Sequence, residues 1–287
     1  MSAAKVRSFL GRHALLARRD LGQNFLFDDS LARRLVDLAG VGSADTVIEI
    51  GTGLGTLTRA LAERAARVVT LEVDAGLVRA LRAEAMLPAG VELIHTDVLE
   101  CDLAALVRAA KPPVRIVANL PYSIAAVVER RLLDLRAALV DWSVMVQREV
   151  AERLRAAPGS RDYGSLAILH ALTVNVTQAM TLEPRCFYPV PRVRSAFLLV
   201  APLRRPLVGE LEFEWVERVA RAAFSHRRKT LVNSLRSSAL DPPPSSRAIE
   251  RALERVGAAP GVRAERLTPG QILDLARWLE AEREGAP

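Results

Sequence analysis

The segment Val47-Ile48-Glu49-Ile50-Gly51-Thr52-Gly53-Leu54-Gly55 decides the fold. Its β-rich run 47–50 is followed by three closely spaced glycines, and a helical pattern begins near Thr56. Glycine is needed in such a turn because a Cβ would block both the tight backbone and a ligand's access to backbone N–H groups. On its own, the pattern fits either a structural turn or a ligand-binding loop.

From residue 46 onward, short β-rich runs alternate with helical patterns. The first five runs are 46–50, 68–73, 91–95, 115–118 and 144–147. Between them, aliphatic residues are spaced by three and four, for example over 57–67 and 75–84, as in amphipathic helices. The repeated βαβ unit predicts a parallel sheet. Two later runs, 171–182 and 195–203, predict antiparallel edge strands and a mixed seven-stranded sheet.

The composition changes after Pro202 and Pro206, where only helical patterns follow. These patterns cover 212–224, 226–239, 246–256 and 268–282. We therefore expect a basic N-terminal arm over 1–20, a Rossmann-like α/β domain over 21–205 and a small all-helical domain over 206–287.

The overall composition is that of an ordinary globular protein. Half of the 287 residues are hydrophobic, which is enough for a buried core. No apolar stretch approaches the roughly 18 to 20 residues of a membrane span, and we expect a cytoplasmic protein without a membrane partner. Cys101 and Cys186 lack metal-ligand spacing, and so do the four histidines, so we expect no metal and no disulfide.

The formal net charge of +7 favours a polyanionic partner. Because almost all the cations are arginine, clustering is more informative than the total. Two clusters contain no acidic residue: Lys5, Arg7, Arg12, Arg18 and Arg19 near the N-terminus, and Arg221, Arg227, Arg228, Lys229 and Arg236 in the helical region. Each cluster fits a phosphate-binding surface. The alternative for the N-terminal cluster is a disordered tail, and the alternative for the helical-region cluster is a solvated helix face.

Two carboxylates follow the next strands. Glu72 lies about 20 residues beyond the glycine loop, where a carboxylate accepts hydrogen bonds from both ribose hydroxyls of a nucleotide-like cofactor. Asp97 follows the third strand, where it would accept one from an adenine amino group. Since ligands of open α/β sheets bind outside the carboxyl ends of the strands, we expect these groups to meet in one crevice. A dinucleotide-binding pattern would need glycine in place of Thr56, whereas GxGxG resembles the loop of class I S-adenosylmethionine-dependent methyltransferases.

The fourth strand ends in Asn119-Leu120-Pro121-Tyr122, next to the expected crevice. An adenine amino group is a poor nucleophile because its lone pair is delocalised into the ring. The Asn119 side-chain oxygen and the Leu120 carbonyl, aimed at its two hydrogens, would localise that pair. Pro121 would stiffen the turn, and Tyr122 would stack on a base taken out of its RNA stack. The tetrapeptide therefore predicts methylation of an amino nitrogen on a planar ring.

Over nearly the whole chain, the sequence resembles the ribosomal RNA adenine dimethyltransferases. Besides the glycine loop and the tetrapeptide, the resemblance rests on Leu21-Gly22-Gln23-Asn24-Phe25-Leu26, Leu71-Glu72-Val73-Asp74, Gln147-Arg148-Glu149-Val150, Tyr163-Gly164, Phe187-Tyr188-Pro189-Val190-Pro191-Arg192-Val193, Arg227-Arg228-Lys229-Thr230-Leu231 with Asn233, and Arg263-Ala264-Glu265 with Leu267-Thr268. It implies a class I methyltransferase fold with a C-terminal helical domain and S-adenosylmethionine as cofactor. The implied reaction is dimethylation of the N6 amino groups of two adjacent adenines in the 3′-terminal hairpin loop of 16S rRNA. The implied substrate is a 30S subunit or its precursor, late in assembly, and we expect a monomeric enzyme.

The resemblance also implies roles for individual residues. The cofactor contacts would be Gln23, Asn24, Leu26, Gly51, Gly53, Gly55, Glu72, Asp97, Val98 and Asn119, with the N-terminal segment closing over the cofactor. The catalytic set would be Asn119, Leu120, Pro121, Tyr122 and Phe187, and RNA would be bound by Arg221, Arg227, Arg228 and Lys229. Phe187 would sandwich the adenine against Tyr122, or else be a core phenylalanine. Two residues depart from the family pattern: Thr52 replaces a proline and is expected to loosen the turn, and Arg194 replaces an aspartate beside the target pocket.

Three alternatives remain at this stage. A 23S-directed dimethyltransferase of the macrolide-resistance type shares the fold and the tetrapeptide, but Arg227 to Leu231 followed by Asn233 is similar to the 16S-directed group. A non-catalytic ribosome-assembly or transcription factor would not need intact Glu72 and Asn119. An NAD-dependent oxidoreductase is disfavoured by Thr56.

Overall fold

The structure is a computed structural model that describes residues 2–18 and 21–284. Arg19 of the N-terminal cluster lies outside the described residues. The chain divides into two compact units. The first unit comprises Met1–Ala151 with Val176–Pro202, and the second comprises Glu152–Asn175 with Leu203–Pro287.

The strands of the described residues are β1 (Phe25–Leu26), β2 (Thr46–Ile50), β3 (Arg67–Glu72), β4 (Glu92–His95), β5 (Val114–Asn119), β6 (Asp141–Gln147), β7 (Val174–Leu182), β8 (Phe187–Tyr188) and β9 (Ser195–Pro202). Seven of them form one sheet in the order β4-β3-β2-β5-β6-β9-β7. β2 pairs in parallel with both β3 and β5, and β9 runs antiparallel to β6. The predicted mixed seven-stranded sheet is confirmed.

The strand order reverses at β2, and this reversal positions the site. β3 and β4 lie on one side of β2, while β5 and β6 lie on the other. Ile50, the last residue of β2, is in register with Leu71 of β3 and Ala118 of β5. The loops that follow these strands therefore open at the same edge of the sheet, where ligands of doubly wound folds bind.

The helices of the first unit are α1 (Ala3–Arg12), α2 (Asp29–Leu38), α3 (Thr56–Ala62), α4 (Ala75–Ala83), α5 (Leu103–Ala109) and α6 (Ala125–Leu135). A further helix, α7 (Arg148–Leu154), begins in the first unit and ends in the second. Asp28 and Asp74 cap α2 and α4 by accepting hydrogen bonds from backbone N–H groups of the first turn.

Residues Ala3–Arg12 of the N-terminal segment form α1, which has a buried apolar face, so the disordered-tail interpretation is wrong for this helix. Ser2 caps α1, and Val6, Phe9 and Leu10 are buried in an apolar cluster that also contains Leu54 of the glycine loop. Their spacing of three and four places them on one helix face. This periodicity was present in the sequence, but the run of cations obscured it.

The helices of the second unit are α8 (Ser165–Thr173), α9 (Glu210–Ala223), α10 (Leu231–Arg236), α11 (Ser246–Arg255) and α12 (Pro269–Glu284). The sequence placed 152–175 in the α/β domain, but here these residues belong to the second unit, because α8 packs against α9 and α12. The β-rich run predicted to begin at 171 becomes a strand only at Val174. The helix predicted over 226–239 starts later, because Thr230 caps α10.

No helix in the described ranges combines the length and apolar character needed to cross a bilayer.

Candidate active site

A crevice that is partly open to solvent lies at the carboxyl ends of β2, β3, β4 and β5. The sequence-predicted residues that line it are Gln23, Asn24, Gly51, Gly53, Glu72, Asp97, Val98, Asn119, Leu120, Pro121 and Tyr122. The fold thus brings the glycine loop, both acids and the tetrapeptide together.

Three sequence-predicted residues do not line the crevice. Leu26 and Phe187 are paired between β1 and β8, and their side chains are buried in one apolar cluster. Phe187 is 2% exposed and packs in this cluster, as in the core-phenylalanine alternative, and its contact with the adenine stays a prediction. Gly55 is the N-cap of α3 and faces the Leu87 side chain.

Glu72 is held rigidly in the crevice wall. Its Oε2 accepts a hydrogen bond from the Gly53 N–H at 2.8 Å, and its Oε1 accepts one from the Asp74 N–H at 2.9 Å. Burial raises the pKa of the Glu72 carboxyl, and the two backbone donors oppose that rise. An ionised carboxylate has about four acceptor sites, so Glu72 retains capacity for two ribose hydroxyls.

The glycine loop leaves space that a side chain would fill. Gly51 and Gly53 have φ angles of +88° and +55°, in the left-handed region. A Cβ on Gly51 would lie 3.4 Å from the Asn119 carbonyl oxygen, and one on Gly53 would lie 3.2 Å from the Phe25 ring. This close approach, next to two carboxylates, fits a nucleoside cofactor lying along exposed backbone.

A buried polar network beneath the loop was not foreseen from the sequence. Glu49 Oε2 accepts hydrogen bonds from the hydroxyls of Thr58 at 2.6 Å and Thr70 at 2.5 Å, and the Thr70 hydroxyl lies 2.7 Å from that of Thr52. Thr52 is 4% exposed. The expectation that Thr52 loosens the turn is therefore wrong, because its hydroxyl ties the loop to β3.

Burial also determines the protonation of Glu49. Desolvation raises the pKa of this carboxyl from 4.5 to about 8, although the two threonine hydroxyls oppose the rise. The side chain is fully buried, and its Oε1 has no hydrogen-bond partner. Glu49 is therefore mainly protonated at neutral pH.

Asn119 and Leu120 present unused acceptors to the crevice. Asn119 Nδ2 donates to the Asn24 carbonyl at 3.0 Å, which orients the amide. Leu120 N–H donates to the Met145 carbonyl at 3.1 Å, which secures the turn to β6. Among the residues that the structure describes, no donor reaches either Asn119 Oδ1 or the Leu120 carbonyl. Both acceptors are available for the two hydrogens of an amino group.

Tyr122 and Pro121 complete the wall of the crevice. Tyr122 is half-buried, its Oη lies 3.2 Å from Ser195 Oγ, and burial raises the pKa of its phenol. Gly22 approaches Pro121 so closely that a Cβ on it would lie 3.2 Å from the proline ring. The N-terminal segment thus packs directly on the tetrapeptide.

The second unit contains the predicted RNA-binding cations. Arg221, Arg227, Arg228 and Lys229 are all exposed. Arg221 lies 3.9 Å from Glu217, and the Arg227 guanidinium donates to the Arg161 carbonyl. Within the described part of the chain, Arg228 and Lys229 form no ion pair, so their charges are available to a polyanion.

Further cations near these residues were not assigned to RNA from the sequence. Arg161, Arg263 and Arg266 are exposed. Gly159 N–H donates to the Glu265 carbonyl at 2.6 Å, which brings their loops together although they are distant along the chain. Only the folded unit reveals that these charges are neighbours.

The departure at Arg194 is compensated locally. Its guanidinium lies 3.1 Å from a carboxylate oxygen of Glu183, so the reversed charge is partly neutralised.

In the part of the chain that the structure describes, no group of three or more His, Cys, Asp or Glu side chains has the geometry of a metal site.

The doubly wound sheet, the glycine loop with its ribose-type carboxylate and the adjoining Asn-x-Pro-Tyr turn define a class I S-adenosylmethionine-dependent methyltransferase. Residues 14–281 match the family model described as ribosomal RNA adenine dimethylase. The chain belongs to this family, and S-adenosylmethionine is its methyl donor.

Comparison with individual proteins agrees with this assignment. The chain is 39% identical to a ribosomal RNA small subunit methyltransferase A from Magnetococcus marinus, with 95% of each chain covered. It shares its fold with the crystal structure of a dimethyladenosine transferase from Plasmodium falciparum, with a TM-score of 0.73 at 23% identity, covering 91% of this chain and 98% of that one. It is also similar to the 23S rRNA methyltransferase ErmE, with a TM-score of 0.62 at 26% identity, covering 90% and 100%.

Proposed function

We propose that this protein dimethylates the N6 amino groups of two adjacent adenines in the 3′-terminal hairpin loop of 16S rRNA, within a late precursor of the 30S subunit. The observation that carries the reaction is the pair of free acceptors, Asn119 Oδ1 and the Leu120 carbonyl, beside a crevice lined by Glu72 and Asp97. The relative from Magnetococcus marinus is named a ribosomal RNA small subunit methyltransferase, which supports 16S rRNA as the target.

In this proposal the protein acts by positioning. When bound, S-adenosylmethionine supplies a methyl group on a sulfonium that is already activated for displacement. In the first transfer, Asn119 Oδ1 and the Leu120 carbonyl accept hydrogen bonds from the two N–H groups of the target amine and localise the nitrogen lone pair; in the second transfer, one of them accepts from the single N–H that remains. In each transfer the nitrogen forms a bond to the methyl carbon as the carbon–sulfur bond breaks, and the nitrogen releases one proton to solvent. Tyr122 stacks on one face of the flipped base, a contact worth roughly 1 to 3 kcal/mol. Because both acceptors are anchored through their neighbouring atoms, little reorganisation is needed during transfer.

The cofactor is held by backbone and carboxylates. Glu72 would accept hydrogen bonds from the ribose hydroxyls of the cofactor and Asp97 would accept one from its adenine amino group, while the exposed backbone of Gly51 and Gly53 would contact the remainder of the cofactor. Asn24 and Gln23 close the crevice from the N-terminal segment, with Gln23 Nε2 bonded to Asp74 at 3.0 Å. Supporting this arrangement, the same crevice is lined by Gln23, Asn24, Gly51, Gly53, Glu72 and Asp97.

The second unit supplies the RNA contacts. Exposed cations without carboxylate partners bind phosphates and release counterions, and Arg228 and Lys229 meet that description. Arg221 and Arg227 extend the same acid-free stretch. A phosphate contact of this kind gives affinity without base recognition.

A 23S rRNA target is the second candidate, because an enzyme with that target has the same fold. The fold therefore does not choose between the two RNAs. The run Arg227 to Leu231 followed by Asn233 supports the 16S target. A non-catalytic assembly factor would not need the two free acceptors of Asn119 and Leu120.

The test incubates the protein and labelled S-adenosylmethionine with undermethylated 30S subunits and, separately, with 50S subunits. Modified adenines are mapped by mass spectrometry. We expect dimethyladenosine at two adjacent positions near the 3′ end of 16S rRNA. Label confined to 50S subunits would replace the proposed substrate by 23S rRNA, and no label on either would support the non-catalytic alternative.

A variant pair tests the mechanism. Asn119→Ala should lower the transfer rate by about 100-fold or more, the effect of removing one preorganised polar group, while the Kd of S-adenosylhomocysteine changes less than about threefold. Asn175→Ala, at an exposed position of β7, is the matched control and should leave both unchanged. Full transfer activity in Asn119→Ala would refute the assigned role.

A further inference from the structure

Arg131 of α6 makes a contact that the catalytic and cofactor assignments do not include. Its guanidinium donates to the Val98 carbonyl and, at 2.7 Å, to the Cys101 carbonyl. Both carbonyls belong to the segment 96–101, which we call the Asp97 loop. No carboxylate of the described residues pairs with Arg131, so these carbonyls are the partners of its charge.

The Asp97 loop is well ordered internally but has few external anchors. Asp97 Oδ1 accepts from the Leu99 N–H at 2.8 Å, and the Asp97 carbonyl accepts from the N–H groups of Glu100 and Cys101. At its start, Thr96 N–H donates to the Glu72 carbonyl at 2.9 Å. Apart from this bond, the described residues tie the loop to distant parts of the chain by hydrogen bonds only through Arg131.

The other end of this link is the catalytic turn. α6 begins at Ala125, directly after Ile124, whose N–H donates to the Pro121 carbonyl at 3.1 Å. Thr96, Asp97 and Val98 line the crevice, and so does Ile124. Arg131 thus connects the loop that faces the adenine end of the cofactor to the helix that follows the tetrapeptide.

We propose that Arg131 is a positioning residue that sets the placement of Asp97 for recognition of the cofactor's adenine amino group. This inference rests on the proposed contact between Asp97 and that amino group. The planar guanidinium reaches two carbonyls at once, which a single ammonium group cannot do in the same geometry. Without it, the loop keeps its internal bonds but loses its fixed position relative to the crevice.

The test uses isothermal titration of the full-length protein with S-adenosylhomocysteine and with S-inosylhomocysteine, which has a carbonyl in place of the 6-amino group. The wild-type protein should prefer the adenine compound. Arg131→Met should raise its Kd about tenfold, the order of one unmet hydrogen bond to a charged group, and raise the Kd of the inosine compound less than about threefold. Arg131→Lys should restore part of the preference, and kcat at saturating cofactor should change less than twofold.

Arg108→Met is the matched control, because Arg108 lies on the neighbouring helix α5 and its side chain is 68% exposed. It should bind both compounds as the wild-type protein does. Asp97→Ala should abolish the preference for the adenine compound. Adding Arg131→Met to Asp97→Ala should cause little further loss of affinity for that compound, since both changes remove the same contact. Thermal melts of every variant verify that the protein is folded, and Arg131→Lys serves as the test if Arg131→Met does not fold.

The outcomes separate the two proposals. If Asp97→Ala removes the preference but Arg131→Met, or Arg131→Lys where Arg131→Met does not fold, keeps the full wild-type preference, the positioning role is wrong and the adenine contact stands. If the losses of binding free energy caused by Asp97→Ala and by Arg131→Met add fully in the double variant, the positioning role is also wrong. If Asp97→Ala keeps the preference, the adenine contact is wrong and the positioning role fails with it. If the wild-type protein binds neither compound, the proposed function itself is wrong.

Discussion

The protonated state of Glu49 predicts how stability depends on pH. Because burial raises the pKa of this carboxyl from 4.5 to about 8, the folded protein binds the Glu49 proton more tightly than the unfolded chain does. Raising the pH from 4.5 towards 8 ionises Glu49 in the unfolded chain first, which lowers the free energy of unfolding. The interval from 4.5 to 8, at about 1.4 kcal/mol per pH unit, gives a loss of about 5 kcal/mol from this one group.

Glu49→Gln removes this titration while keeping an oxygen that can accept from Thr58 and Thr70. We expect the free energy of unfolding of the variant, minus that of the wild-type protein, to rise by about 1.4 kcal/mol per pH unit between pH 5 and pH 8. Taking the difference cancels the titration of all the other groups. The stability of the variant, relative to that of the wild-type protein, should therefore be highest near pH 8.

The assay is urea denaturation at pH 5, 6, 7 and 8, followed by the fluorescence of Trp142, which is fully buried in the first unit. Trp215 and Trp278 are replaced by phenylalanine in all proteins compared, so that the signal reports the first unit alone. Glu92→Gln is the control, because Glu92 is about half exposed and pairs with an arginine at the surface. A difference for Glu49→Gln that stays constant over this pH range would refute the protonated state of Glu49.

Three further predictions concern ligand binding. Tyr122→Ala should raise the KM for the RNA substrate about tenfold while Tyr122→Phe stays near the wild-type value, because the ring supplies the stacking; equal losses in steady-state kinetics would contradict this. Gly53→Ala should weaken S-adenosylhomocysteine binding about tenfold in calorimetry, since its φ of +55° and the Phe25 ring at 3.2 Å both oppose a Cβ, and an unchanged Kd would show that the loop adjusts. Replacing Arg228 and Lys229 by alanine should make the slope of the logarithm of the RNA association constant against log salt less negative by about 2. An unchanged slope would show that neither residue contacts a phosphate.

The sheet and the position of its crevice could be predicted because their signals are local. The β-rich run ending in Gly51 and the helical pattern from Thr56 lie within one short segment, and the carboxyl ends of parallel strands meet by geometry. The carboxylate of Glu72 and the tetrapeptide at Asn119 each follow a strand, so their convergence needed only the strand order. Their lining of one crevice agrees with that reasoning.

The burial of Phe187 and the network around Glu49 depend on pairing, which the sequence alone did not provide. Phe187 is buried because β8 pairs with β1 and places it opposite Leu26. Glu49 meets Thr70 because the register of β2 and β3 sets these two residues opposite each other. A charged residue inside an otherwise apolar strand was the available signal, and it indicates a buried acid with hydroxyl partners on the next strand.

A common arrangement explains why the crevice presents free polar groups. Asn119 anchors its amide through Nδ2, and its Oδ1 stays free; Glu72 accepts two backbone N–H groups and retains further lone pairs. Anchoring one atom restricts the rotamer, so the entropy of ordering the side chain is lost on folding and not on binding. The glycine loop and the Asp97 loop are secured in the same way, by the threonines above Glu49 and by Arg131. Replacing an anchor should therefore weaken ligand binding more than it changes the rate at saturation, whereas removing Asn119 Oδ1, the acceptor at the reacting amino group, should do the reverse.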